Sequence, residues 1–172
     1  SAKRIDGIDV PDALIERGEL TLRIMMPRES AGKFVDLALL SLIWPFNVVT
    51  PDERDKILEN IEYHLLRERG VIRYKGDRYF NANDDGWSEE AEWTFGLSWL
   101  SIIYAHIGNK EKAQQFLDEA KETVTKDGLI PELYFSNSEK FNDNTPLGWS
   151  ESLFIVALHE INAKAVKRGK KI

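Results

Sequence analysis

Helical segments that are apolar nearly all round alternate in this chain with helical segments that are apolar along one narrow stripe, and this alternation restricts the fold more than any other feature. Between Ser30 and Trp44, the residues Phe34, Val35, Leu37, Ala38, Leu39, Leu40, Leu42 and Ile43 leave almost no polar face, which predicts a helix packed on several sides. Thr50-Pro51-Asp52-Glu53 then supplies an N-cap, a proline at the first helical position and acids in the first turn. The helix it opens carries Ile57, Leu58, Ile61, Leu65 and Leu66 on one side and is expected to stop at Gly70, as an outer helix covering the previous one. The pair repeats. Ser88 is expected to cap an interior helix beginning Glu89-Glu90 and running through Trp93, Phe95, Trp99 and Ile103 to Gly108. Asn109 caps a second charged helix, with Ala113, Phe116, Leu117, Ala120 and Val124 as its stripe, before Gly128. Thr145-Pro146 opens a last interior helix through Trp149, Leu153, Phe154 and Ile161.

One hairpin of this kind cannot bury both of its faces, so the expected fold is all-α, with inner and outer helices stacked as a toroid or solenoid. A chain of 172 residues, 42% of them hydrophobic, can bury one core, so residues 1–172 read as one domain or part of one, with 1–30 poorly assigned. The 29 acidic residues outnumber 23 basic ones, which argues against a nucleic-acid backbone as partner. The terminal cluster Lys167, Arg168, Lys170 and Lys171 suits a helix end. The longest apolar run, Leu37 to Phe46, is about half of what a bilayer span needs, so no membrane is expected. No signal peptide is visible, which favours the cytoplasm over secretion. With no cysteine, and with His64, His106 and His159 on three separate helices, neither a metal nor another cofactor is expected. Asp84-Asp85 and Asn142-Asp143-Asn144 lack a calcium loop and read as turns.

The connections are unequal. Residues 70–87 and 126–144 form two long loops, each leading from an outer helix into an inner one, which gathers them at one rim of the array. The first contains Arg73, Asp77, Tyr79 and Phe80, a set suited to sugars because guanidinium and carboxylate groups bind hydroxyls directionally and rings pack on pyranose faces. The same residues suit a loop tied down by an Arg73–Asp77 ion pair with Tyr79 and Phe80 beneath it. In the second, Glu132 follows Pro131 in an apolar stretch, a setting that orients a carboxylate for general-base work and that also suits a surface glutamate without chemistry. Trp149 reads equally as a core residue.

Taken together, Arg73-Tyr74-Lys75-Gly76-Asp77-Arg78-Tyr79, Glu92-Trp93, Gly128-Leu129-Ile130-Pro131-Glu132 and Pro146-Leu147-Gly148-Trp149-Ser150 resemble glycoside hydrolase family 15, the glucoamylase-like enzymes, over about residues 30–165. The resemblance implies the C-terminal half of an (α/α)6 barrel and inverting hydrolysis that releases glucose from the non-reducing ends of α-glucans. By position it makes Glu132 the general base and assigns Arg73, Asp77, Tyr79, Trp93 and Trp149 to the sugar site. The family's general acid has no counterpart in this chain, so the expected partners are an α-glucan or oligosaccharide and either the N-terminal half of the same enzyme or a second copy. Leu133 stands where the family has Gln, and Ser150-Glu151 where many members have Ser-His or Ser-Tyr. Sister activities on α-1,6-glucan or trehalose, a glucan-binding or regulatory domain without chemistry, and a helical-repeat scaffold are the alternatives.

Overall fold

The structure, a computed structural model, describes residues 2–5, 8–11, 35–77, 79 and 90–169, with side chains over 35–77, 79 and 90–162. In chain order the elements are a hairpin of β1 (Ala2–Ile5) and β2 (Ile8–Pro11), a 3-10 turn (Leu37–Leu39), α1 (Leu40–Ile43), α2 (Pro51–His64), β3 (Glu92–Trp93), α3 (Phe95–Ile107), α4 (Lys110–Glu122), β4 (Leu133–Tyr134) and α5 (Gly148–Gly169). The chain is mainly helical, as the apolar spacing predicts, and two short antiparallel ladders accompany the helices: β1 with β2, and β3 with β4 in the register Glu92 to Tyr134 and Trp93 to Leu133.

The caps behave as their chemistry requires. Thr50 and Glu53 form a reciprocal capping box at the start of α2. Asn109 Oδ1 accepts from Lys112 N at the start of α4, and Gly108 takes the left-handed conformation that ends α3. α3 is buried from Phe95 to Ala105, so it is the interior helix, and it packs between α4 and α5. α2 and α4 bury one stripe each, Ile57, Leu58 and Ile61 on the first and Ala113, Phe116, Leu117 and Ala120 on the second. The inner role of α3 and the outer roles of α2 and α4 therefore fall where the periodicity puts them.

Four boundaries differ from the sequence reading. The segment expected to be helical from Ser30 is described from residue 35, and there Asp36 caps a 3-10 turn by accepting from Ala38 N at 2.8 Å before the short α1. Ser88 and Glu89 lie outside the described residues, and the interior helix begins at Phe95 because Glu92 and Trp93 pair with β4 instead of continuing a helix. Gly70 is not a helix stop: α2 ends at His64, and a Cβ on Gly70 would come within 2.7 Å of the β3 backbone, so glycine serves close approach there. Pro146 follows a cis peptide and stands ahead of α5, which starts at Gly148. α5 also departs from the enclosed helix expected of it. Ser150, Leu153 and Ala157 are buried against the core, whereas Trp149 and Ile155 are exposed. No helix among the described residues is long and apolar enough to cross a membrane.

Candidate active site

The β3–β4 ladder brings the two long loops together. Trp93, at the end of β3, and Glu132, just before β4, face a cleft of about 480 Å³ also lined by Arg73, Tyr79, Phe95, Trp99 and Trp149. Five of the six residues singled out in the sequence (Arg73, Tyr79, Trp93, Glu132 and Trp149) thus share one cavity.

The walls are aromatic. Trp149 is 53% exposed, stacks on Phe95 with ring centroids 4.3 Å apart and planes at 11°, and tilts against Trp99 at 6.2 Å. Its reading as a core residue therefore does not hold. Phe95 and Trp99 are four residues apart on α3 and so present one face; Trp99 Nε1 donates to Trp44 O at 3.0 Å, which fixes that ring. The aromatic lining continues from Phe95 to Trp93, edge-on at 5.9 Å; Trp93 in turn stacks with Tyr79 at 6.0 Å, and the Arg73 guanidinium lies 4.2 Å from the Trp93 ring centroid.

Asp77 is the sixth residue, and it stands behind the wall. It is 1% exposed. Its Oδ2 accepts from Arg73 Nε at 2.6 Å and its Oδ1 accepts from Arg73 NH2 at 2.9 Å and from Tyr79 N at 3.1 Å. The ion pair read as the plain alternative is thus present, and Asp77 acts by holding Arg73 in place. That hydrogen-bonded carboxylate raises the proton affinity of the Arg73 guanidinium above its ordinary value. Phe80 lies outside the described residues.

Glu132 is held through both its backbone and its side chain. Its N–H donates to Asn144 O at 3.1 Å, and its carbonyl accepts from Thr94 N at 3.2 Å. The Thr94 hydroxyl donates to Pro131 O at 2.5 Å and lies 2.8 Å from Ser150 Oγ. A threonine hydroxyl has one proton, so Ser150 is the donor in that pair. Thr94 and Ser150, each 1% exposed, tie β3, the Glu132 segment and α5 into one unit. At the side chain, Asn142 Nδ2 and Asn144 Nδ2 donate to the same oxygen, Oε2, at 2.6 and 2.8 Å. Oε1 has no partner among the described residues. Asn142-Asp143-Asn144, which reads as a turn in sequence, instead supplies two amides that hold the carboxylate. Their i, i+2 spacing beside a strand was the available signal, because alternate residues of an extended segment share a face. Leu133, next to Glu132, is fully buried and adds nothing to the cleft.

Among the described residues no cluster of His, Asp and Glu is arranged to hold a metal ion. His64 is half-buried beside the Tyr63 ring, and His106 and His159 are exposed.

No family model matches the chain. It is 31% identical over 143 residues to an uncharacterized glycosyl hydrolase of Methanocaldococcus jannaschii, covering 74% of this chain and 22% of that protein. It is 28% identical over 137 residues to Trehalase 1 of Sulfolobus acidocaldarius, covering 78% of the chain and 23% of that protein. A probable phosphorylase b kinase regulatory subunit alpha of Caenorhabditis elegans is 27% identical over 180 residues, covering 86% of the chain and 15% of that protein. The chain therefore spans less than a quarter of the length of these curated relatives. Among solved structures, a wild-type glycosidase superposes with a TM-score of 0.63 at 20% identity, over 74% of this chain and 36% of its own, a likeness of fold. Two of the three curated relatives carry the names of glycoside hydrolases, and the solved glycosidase shares the fold.

Proposed function

We propose that the chain is the C-terminal part of a glucoamylase-like inverting glycosidase of family 15, built as an (α/α)6 barrel, that releases glucose from the non-reducing ends of α-glucans. The observation that carries this reading is the placement of Glu132: its carboxylate faces an aromatic cleft, one oxygen is held by two amides, and the other is free among the described residues. In inversion a carboxylate removes a proton from water as the water attacks the anomeric carbon, and a carboxylic acid on the opposite face, roughly 6.5–9.5 Å away, protonates the leaving oxygen. Glu132 is the base. Trp149 and Tyr79 supply flat apolar faces for the pyranose, and Arg73, locked by Asp77 and seated on Trp93, presents a directed donor to sugar hydroxyls. The general acid and the remaining helices belong to chain outside these residues, and the exposed apolar side of α5 is where they would pack.

The test is glucose release from maltose, soluble starch and trehalose by the whole protein that contains this sequence, beside its Glu132→Gln variant, with the released anomer followed by polarimetry. β-Glucose from the parent and none from the variant is the expected result. Turnover with retained α-configuration, or an undiminished variant, would overturn the assignment of Glu132. A second reading, a glucan-binding regulatory domain without chemistry, draws on the likeness to a kinase regulatory subunit and on the buried Leu133 in the position of a family Gln. Sugar binding by the whole protein with no turnover of any α-glucan or of trehalose would favour it.

A further inference from the structure

Among the described residues Glu62, Glu92 and Glu132 each accept hydrogen bonds from two donors on distant segments, and of these only Glu132 takes both on one oxygen beside a cleft. The segment 141–144 runs antiparallel to 132–134: Glu132 N donates to Asn144 O, Asn142 N donates to Leu133 O at 3.4 Å, and Phe141 bridges to Tyr134. Alternation along it turns Asn142 and Asn144 to the Glu132 side and the intervening Asp143 outward, to solvent. Both amides reach Oε2.

Asn142 is the more informative of the two. It is 5% exposed, and its Oδ1 is buried without a hydrogen-bond partner among the described residues. A buried amide with half of its hydrogen-bonding capacity unmet destabilises the fold. A leucine or valine would pack there without that cost. Among the described residues the one side-chain bond that Asn142 makes goes to Glu132. Packing therefore gives no reason for an amide at this position, and holding the carboxylate does.

We infer that Asn142 and Asn144 are positioning residues that lock Glu132 Oε2 and so commit Oε1 as the single oxygen that takes the proton from water, which rests on the assignment of Glu132 as general base. A carboxylate free to rotate about its terminal torsion would spend much of its time with neither oxygen aligned on the water, and misplacement of about 1 Å can cost on the order of 100-fold in rate. Two donors on one oxygen remove that freedom from one side only, leaving the other lone pairs unopposed. Nothing else in the described residues constrains the carboxylate.

The experiment compares Asn144→Ala, Asn144→Asp, Asn142→Ala and Asp143→Ala in the whole protein with its wild type and with Glu132→Gln, reading kcat and KM separately on maltose. Asn144→Ala should lower kcat about 10-fold with KM unchanged, and Asn142→Ala about as much or more. Asn144→Asp, nearly the same shape but an acceptor against a carboxylate, should lose more than the alanine variant, an order that a packing role would reverse. Asp143→Ala should match wild type. If Glu132→Gln is inactive and the asparagine variants retain full kcat, positioning is wrong and the base assignment stands. If Glu132→Gln is fully active, the base assignment itself has failed. A readout independent of turnover covers a fold that Asn142→Ala disrupts or a protein without detectable activity. The side-chain amide resonances of Asn142 and Asn144 should both shift in Glu132→Gln, and finding both unmoved would overturn the inference.

Discussion

Glu92 and Glu132 flank the same two-stranded ladder and have opposite fates. Glu92 is 3% exposed, and each of its oxygens accepts one backbone N–H: Oε2 from Arg69 at 2.7 Å and Oε1 from Asn137 at 3.2 Å. It staples two loops to β3, with both of its oxygens engaged by backbone. Glu132 puts both of its donors on one oxygen and faces the cleft with the other. Asp77 and Glu62 side with Glu92. Asp77 accepts from Arg73 on both oxygens and from the Tyr79 N–H on Oδ1, and Glu62 accepts from the Tyr104 hydroxyl through Oε1 and from Lys112 Nζ at 2.5 Å through Oε2. The teaching is that burial and hydrogen bonding alone do not mark a reactive carboxylate. What sets Glu132 apart is that its donors share one oxygen while the carboxylate faces the aromatic cleft, whereas Asp118, with two donors on its Oδ1, stands on the exposed side of α4.

The comparison can be broken most sharply at Glu132 itself. Glu132→Gln should lower kcat about 1,000-fold, about 4 kcal/mol, while leaving the urea midpoint almost unchanged. A variant that unfolds in step with its loss of activity would make Glu132 another structural staple. Glu92→Ala should do the reverse. Orphaning two backbone donors costs about 2–3 kcal/mol of stability, read in the urea midpoint, with the residual activity of the folded fraction near wild type. Asp77→Asn sharpens the contrast at the cleft. It keeps the volume but weakens the hold on Arg73, so sugar affinity by calorimetry should fall about 10-fold, about 1.4 kcal/mol, with kcat less affected.

The smallest effect belongs to the outer cluster. Burial, the bond to Glu62 and the charge of Glu62 raise the Tyr104 hydroxyl above its ordinary value, in that order of size. The unfolded tyrosine ionises near pH 10 while the folded one keeps its proton, so above that pH the unfolded chain binds fewer protons and stability falls as pH rises. Tyr104→Phe should cost about 1 kcal/mol at neutral pH and should flatten part of that alkaline decline when urea midpoints are compared between pH 8 and 11. An unchanged slope would mean that Glu62 is not committed as described.

The helices were legible because their signals are local. Thr50-Pro51-Asp52-Glu53 is a capping box in sequence and in space, and the stripe of α4 is visible in any helical projection. Arg73, Tyr79, Trp93, Glu132 and Trp149 could be named from residue types and resemblance, and the cleft brings them together. What could not be read is set by pairings distant in sequence. Nothing near Trp93 says that it pairs with Leu133, so local signals extend α3 forward to Glu89 whereas the helix begins at Phe95. Asn142 and Asn144 look like turn residues until a strand is laid beside them, and Asp77 looks like a ligand for sugar until Arg73 is seen to occupy both of its oxygens.

The hydroxyl pair of Thr94 and Ser150 carries a kinetic consequence. Thr94 reaches Pro131 across 37 residues and Ser150 across 56, whereas the backbone bonds within α2, α3 and α4 span one turn. Closing long loops is entropically costly and slow compared with winding a helix. A refolding chain will therefore regain its far-ultraviolet helical signal well before the cleft exists. A compact intermediate with every helix in place would still lack a seat for Glu132, which makes recovery of the Trp149 environment, seen by fluorescence, the event that reports a finished molecule.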